Sequence, residues 1–115
     1  MLVAEQLPAS HPVRKSALAY VAAYEAAHGK GSVSTFGGHA WDAGLLMSAA
    51  APVALKKARP GTPEFRAALR DAFEQIGKST LAHGVLNWTP TDHWGYTDDT
   101  GVMMKVTGGE FKVEK

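Results

Sequence analysis

From Ala43 to Leu55 the chain reads Ala-Gly-Leu-Leu-Met-Ser-Ala-Ala-Ala-Pro-Val-Ala-Leu, with no charged residue. Extended upstream to Ala40, this stretch is small or apolar on almost every side of a helix, the pattern of a helix buried on most of its faces. It is interrupted by Gly44, Ser48 and Pro52 and falls short of the ~18 uninterrupted apolar residues of a membrane helix. The burial therefore has to come from protein. A chain of 115 residues builds one domain and has few other elements to spare for it.

Those other elements divide by period. Val13, Ala17, Tyr20, Val21, Tyr24 and Ala27 recur at helical spacing, with Ser10 as the expected N-cap, Pro12 in the first turn and Gly29 as the stop. Residues 29–38 read as a loop, and residues 1–9 as a short extended lead-in. The apolar helix follows from near His39 to about Ala58, with Pro52 expected to kink or divide it and Lys56, Lys57 and Arg59 in its last turn. Thr62 and Pro63 open a third helix with an apolar stripe of Phe65, Ala68, Leu69, Ala72, Phe73 and Ile76. The tail changes to a strand pattern. Val85–Trp88 forms a short strand, and 102–107 and 110–114 flank Gly108-Gly109, a two-residue hairpin signal. Helices first and strands last is an α+β order: three main helices, a short strand and a C-terminal β-hairpin. The chain thus reads as a single domain over 1–115, mainly helical over 1–83 and strands and hairpin over 84–115.

Composition excludes several function classes. A net charge of +1 gives no electrostatic footing for nucleic acid or an anionic membrane. The absence of cysteine removes disulfides, thiolate metal sites and a cysteine nucleophile together. The five histidines, His11, His28, His39, His83 and His93, stand in no metal-ligand spacing, so no metal site is expected. Ser48 and Ser79 lack a nucleophile-elbow context, and Gly29-Lys30-Gly31-Ser32 lacks the spacing of a phosphate loop. No catalytic residue and no cofactor is expected. The N-terminal Met-Leu-Val-Ala-Glu-Gln-Leu-Pro lacks the basic and apolar regions of a secretory signal, so the signal of an exported protein would lie upstream.

Two stretches carry the candidate chemistry. In the first, Thr35-Phe36-Gly37-Gly38 leads into His39-Ala40-Trp41-Asp42. Its two glycines let the backbone approach a ligand, and the amides of a helix start form a ready anion site. A carboxylate could dock there between Phe36 and Trp41 as apolar walls, giving Phe36, Gly37, Gly38, His39 and Trp41 as candidate ligand-binding residues. The alternative is structural: the glycines only turn the chain, Asp42 caps first-turn amides and the aromatics join the core. The second stretch, Trp88 to Tyr96, has three aromatics and a histidine among turn residues, and is favoured as an anchor of its loop rather than a pocket wall.

Taken in order, these pieces resemble a known family. A tyrosine-bearing helix ending in glycine (Ala19 to Gly29) precedes an aromatic-Asp-Ala helix start (Ala40-Trp41-Asp42-Ala43). A Pro-Gly-Thr linker then opens an amphipathic helix (Pro60 to Ala72). Gly84-Val85-Leu86-Asn87 and Asp92-His93-Trp94-Gly95 follow, before a closing hairpin with glycine at its turn. The series is similar to the C-terminal portion of the type I periplasmic solute-binding proteins of branched-chain amino acid (Leu/Ile/Val-binding) ABC transporters. The resemblance implies that residues 1–115 are a single partial domain, the C-terminal segment of a two-lobed α/β fold. It implies capture of a small carboxylate-bearing solute, an amino acid or aromatic acid, in the periplasm by cleft closure, for the membrane permease of an ABC importer. Such receptors are much longer than this chain, and their ligand lies between the lobes. The runner-up is a stand-alone, non-enzymatic helical interaction module. In either case the apolar second helix predicts that the isolated chain self-associates.

Overall fold

A computed structural model describes residues 3–114. Helix α1 spans Arg14–His28, α2 Thr35–Leu55 and α3 Pro63–Gln75. Strands β1 (Ser79–Thr80) and β2 (Val85–Leu86) form one antiparallel pair, and β3 (Met104–Thr107) and β4 (Glu110–Val113) form another. The α+β order of helices before strands is therefore the observed one. Met1 and Leu2 lie outside the described residues. The rest of the lead-in, expected to be extended, contains a short 3-10 turn at Ala4–Gln6.

Local chemistry accounts for the helix ends. The Thr62 hydroxyl accepts from the Phe65 amide at 3.2 Å, with Pro63 in the first turn of α3, as the sequence predicts. Ser10 does not cap α1. The helix begins after Val13, whose amide donates to His11 Nδ1 at 3.3 Å. Gly29 closes α1 with a φ of 93°, a conformation open to glycine and costly for other residues. The largest boundary correction is at α2, which starts at Thr35 rather than near His39 and so takes in Phe36, Gly37 and Gly38. Ser34 is the reason: its hydroxyl accepts from the Gly37 amide at 3.0 Å, satisfying a first-turn donor that glycine alone could not hold in place. Pro52 does not divide α2. The helix stops at Leu55, so Lys56, Lys57 and Arg59 follow it instead of filling its last turn.

Three apolar clusters hold these elements together. Val13, Ala17 and Tyr20 of the α1 region pack with Ala4, Ala82 and Val85. Ala50 and Ala54 of α2 meet Ala68 and Ala72 of α3, small residues that let the two helix backbones approach closely. Leu46, Leu81 and Leu86 form the third cluster, bordered by Phe73, Ile76 and Trp88. In α2 the buried positions are Gly38, Asp42, Leu46, Ala50 and Ala54, one stripe four residues apart. The helix expected to be buried on most sides is buried on one.

Candidate functional site

The first turn of α2 is fixed from two directions. On the α1 side, wholly buried Tyr20 donates its hydroxyl proton to the Ser34 carbonyl at 3.0 Å. A Cβ on Gly37 would stand 2.5 Å from that Tyr20 oxygen. On the side of the loop before β2, a Cβ on Gly38 would stand 2.0 Å from Cε1 of His83. Both glycines are thus required by close approach of a neighbouring side chain, and neither has a positive φ. No hydrogen bond reaches the amides of Thr35 and Phe36 among the described residues, so both point their dipoles outward at the positive end of the helix.

Asp42 organises the second side. Its buried carboxylate accepts from the amides of Ala82 at 2.8 Å and His83 at 3.0 Å. Sequence reasoning places Asp42 in a structural role at its own helix start. The role is structural, but the amides it satisfies are 40 and 41 residues away. His83 Nδ1 lies 3.3 Å from Asp42 Oδ2. A carboxylate can only accept, so Nδ1 is the donor in this contact and Nε2 is the ring nitrogen left to find another partner. That Nε2 is buried and unpartnered in the structure. The His39 ring stacks on His83 with centroids 4.0 Å apart. Desolvation, then the neighbouring His83, holds the His39 imidazole below the ordinary histidine value, with Asp42 pulling the other way.

The five candidate residues do not converge on one pocket. Gly38 and His39 face the Asp42–His83 pair, and Gly37 faces Tyr20. Phe36 is 86% exposed and Trp41, 36% exposed, leans on Tyr20 with centroids 5.8 Å apart. Five residues apart, they stand about 140° apart around the helix axis, so they cannot wall the same ligand from opposite sides. His39 instead borders a groove of about 270 Å³ whose sides include Leu46, Met47, Trp88 and Tyr96. His83, Trp88 and Tyr96 are the neighbours that reading α2 by itself misses. In the stretch Trp88 to Tyr96, Trp88 does act as an anchor, set edge-on against Phe73 at 5.3 Å. Trp94 is 77% exposed and packs on Tyr96. No group of three or more His, Cys, Asp or Glu able to hold a metal ion occurs among the described residues.

No family model and no curated protein matches the chain. Solved structures do. An extracellular ligand-binding receptor from Rhodopseudomonas palustris superposes with a TM-score of 0.87 at 38% identity, over 99% of this chain and 32% of the receptor. This chain is built like one third of an extracellular ligand-binding receptor. Two receptors from R. palustris HaA2 agree: one at TM-score 0.86 and 36% identity over 97% of this chain and 31% of its own, the other at 0.84 and 42% over 96% and 31%. The chain therefore spans about a third of the length of the receptors it matches. No described helix is long and apolar enough to cross a membrane.

Proposed function

We propose that this chain serves as the C-terminal third of a type I, branched-chain amino acid type solute receptor. In this reading it helps capture a small carboxylate-bearing solute, an amino acid or aromatic acid, in the periplasm for the permease of an ABC importer. The observation that carries the reading is the receptor match over 99% of the chain at 38% identity. The outward amides of Thr35 and Phe36, with His39 beside them, supply the anion-favouring end. Capture proceeds by non-covalent binding and cleft closure, without catalysis or cofactor.

The test uses a hybrid: the R. palustris receptor with its matching third replaced by residues 1–115. Thermal unfolding is followed against amino acids and aromatic carboxylates. A solute at 100 times its Kd adds about 2.7 kcal/mol, a shift on the order of 3–4 °C for a receptor of that size. His39→Ala and Phe36→Ala should reduce the shift. Unchanged affinity in both removes the site, and a hybrid that no compound stabilises removes the solute reading.

The second reading, a stand-alone module that self-associates through α2, is favoured by the exposure of Leu45, Met47 and Leu55 on that helix. Sedimentation equilibrium of the 115-residue chain decides it, because such a module forms a discrete dimer at micromolar concentration.

A further inference from the structure

The register of the β3–β4 hairpin pairs Met104 with Val113 and Val106 with Phe111. Directly opposed residues of an antiparallel pair share a face, so these four side chains make one apolar face. Lys105, Thr107, Glu110 and Lys112 make the other. Met104, Val106 and Phe111 are all exposed.

The two edges of the hairpin differ. Antiparallel pairs alternate between residues that exchange hydrogen bonds and residues whose N–H and C=O groups point away from the partner strand. The Phe111 carbonyl accepts from the Gln6 side chain and the Val113 amide donates to it, both at 3.0 Å. Phe111 and Val113 therefore turn their backbone groups outward, and so do their partners Val106 and Met104. The next pair is inward again, as the alternation requires: the Glu114 amide donates to the Met103 carbonyl at 2.9 Å. Gln6 brings one donor and one acceptor to the β4 edge, as a residue of a third strand would. The β3 edge has no such cap. Among the described residues no hydrogen bond reaches the backbone groups of Met104 and Val106.

An open edge is a template for another strand, and whatever fills it must bring an unpaired edge of its own. A second copy does so by symmetry, its β3 running antiparallel to the first about a two-fold axis. Each copy has one open hairpin edge and one capped by Gln6, so the pairing stops at two instead of growing into a fibre. Charge selects the register. An axis through Lys105 sets two lysines directly opposite each other, which is destabilising. An axis through Met104 sets Val102 against Val106 of the second copy and Lys105 against Met103 of the second copy. The aliphatic stem of Lys105 then covers Met103, which is 75% exposed in the single chain.

We propose that the β3 edge is a pairing surface for a second copy of this chain, joining two hairpins into one four-stranded antiparallel sheet with Met104 at its axis. A lone hairpin is marginal in water, whereas three or more strands support one another. The paired strands are short, so the dimer belongs to the small, transient class of interfaces. The inference does not depend on which solute binds near α2.

Sedimentation equilibrium of the 115-residue chain from roughly 10 µM to roughly 1 mM tests it. The expected result is a reversible rise from 12.2 kDa to twice that mass, with no larger species. Val106→Pro removes an outward amide and none of the hairpin's internal bonds. It should weaken the association about tenfold or more, one bond being lost from each copy. Met104→Lys and Met104→Glu should each weaken it as well, by setting like charges at the axis. An equimolar mixture of the two should restore the dimer as a Lys–Glu pair, a rescue that misfolded variants would not show. A chain monomeric throughout overturns the proposal. So does a mass that keeps rising past the dimer, or a mixture that fails to associate. A dimer that Leu45→Lys splits and Val106→Pro leaves intact overturns it too, and assigns self-association to α2.

Discussion

Asp42 and His83 are joined twice: the Asp42 carboxylate accepts from the His83 amide at 3.0 Å and lies 3.3 Å from the His83 ring nitrogen Nδ1. A third bond, to the Ala82 amide, makes this one buried side chain the tie between α2 and the segment leading into β2. Asp42→Ala leaves two amides without their acceptor, a penalty of about 2–4 kcal/mol. Asp42→Asn keeps one acceptor oxygen and should lose less, about 1–2 kcal/mol. Urea unfolding of both variants checks the order, and equal losses would contradict the geometry.

Three glycines of α2 should respond with opposite signs. Gly38→Ala drives a methyl into the His83 ring and Gly37→Ala into the Tyr20 hydroxyl, so each should destabilise by about 1–3 kcal/mol. Gly44→Ala meets open space in a helix interior and should stabilise by about 0.5–1 kcal/mol. Melting temperatures of the single variants measure all three.

The His39 imidazole sits below the ordinary value of 6.5, first through desolvation and then through His83. The folded chain therefore binds fewer protons at His39 than the unfolded chain as pH falls through 6.5. Stability is undiminished above that value and declines below it, down to the lowered folded value. His39→Asn should remove this part of the slope. Denaturation midpoints taken from about pH 7.5 to about pH 5 test the sign.

Gly108 and Gly109 form the β3–β4 turn with φ of 62° and 80°, the left-handed pair that a two-residue hairpin requires. Alanine at either position should cost the hairpin about 1 kcal/mol. β3 is exposed at all its positions and β4 at all but one. The loss should therefore appear in amide exchange at 104–113 and leave the melting of the helices nearly unchanged.

Legibility in the sequence followed the range of the interaction. α3 and the hairpin turn were readable because Thr62-Pro63 and Gly108-Gly109 act on their own neighbours. By composition Gly37-Gly38 reads as a loop, which sets the expected start of α2 four residues after the observed one at Thr35. The local signal that could have corrected it is Ser34, three residues before Gly37. His83 was out of reach, since its contact with Asp42 crosses 41 residues and no pattern in either segment announces it. The apolar circumference of α2 predicts burial on most sides, whereas the fold buries the single stripe from Gly38 to Ala54 and leaves Leu45, Met47 and Leu55 exposed.

Gln6 has a consequence for the order in which the fold assembles. Its side-chain amide donates to the Phe111 carbonyl and accepts from the Val113 amide, both at 3.0 Å. The latter contact closes a loop across 107 residues, while almost everything else that holds the hairpin is local. Closing so long a loop costs the most chain entropy and is rewarded by only two exposed hydrogen bonds. That balance predicts a latch that forms after the helices have packed and opens without them, so that amide exchange at 104–113 outpaces exchange in the helices.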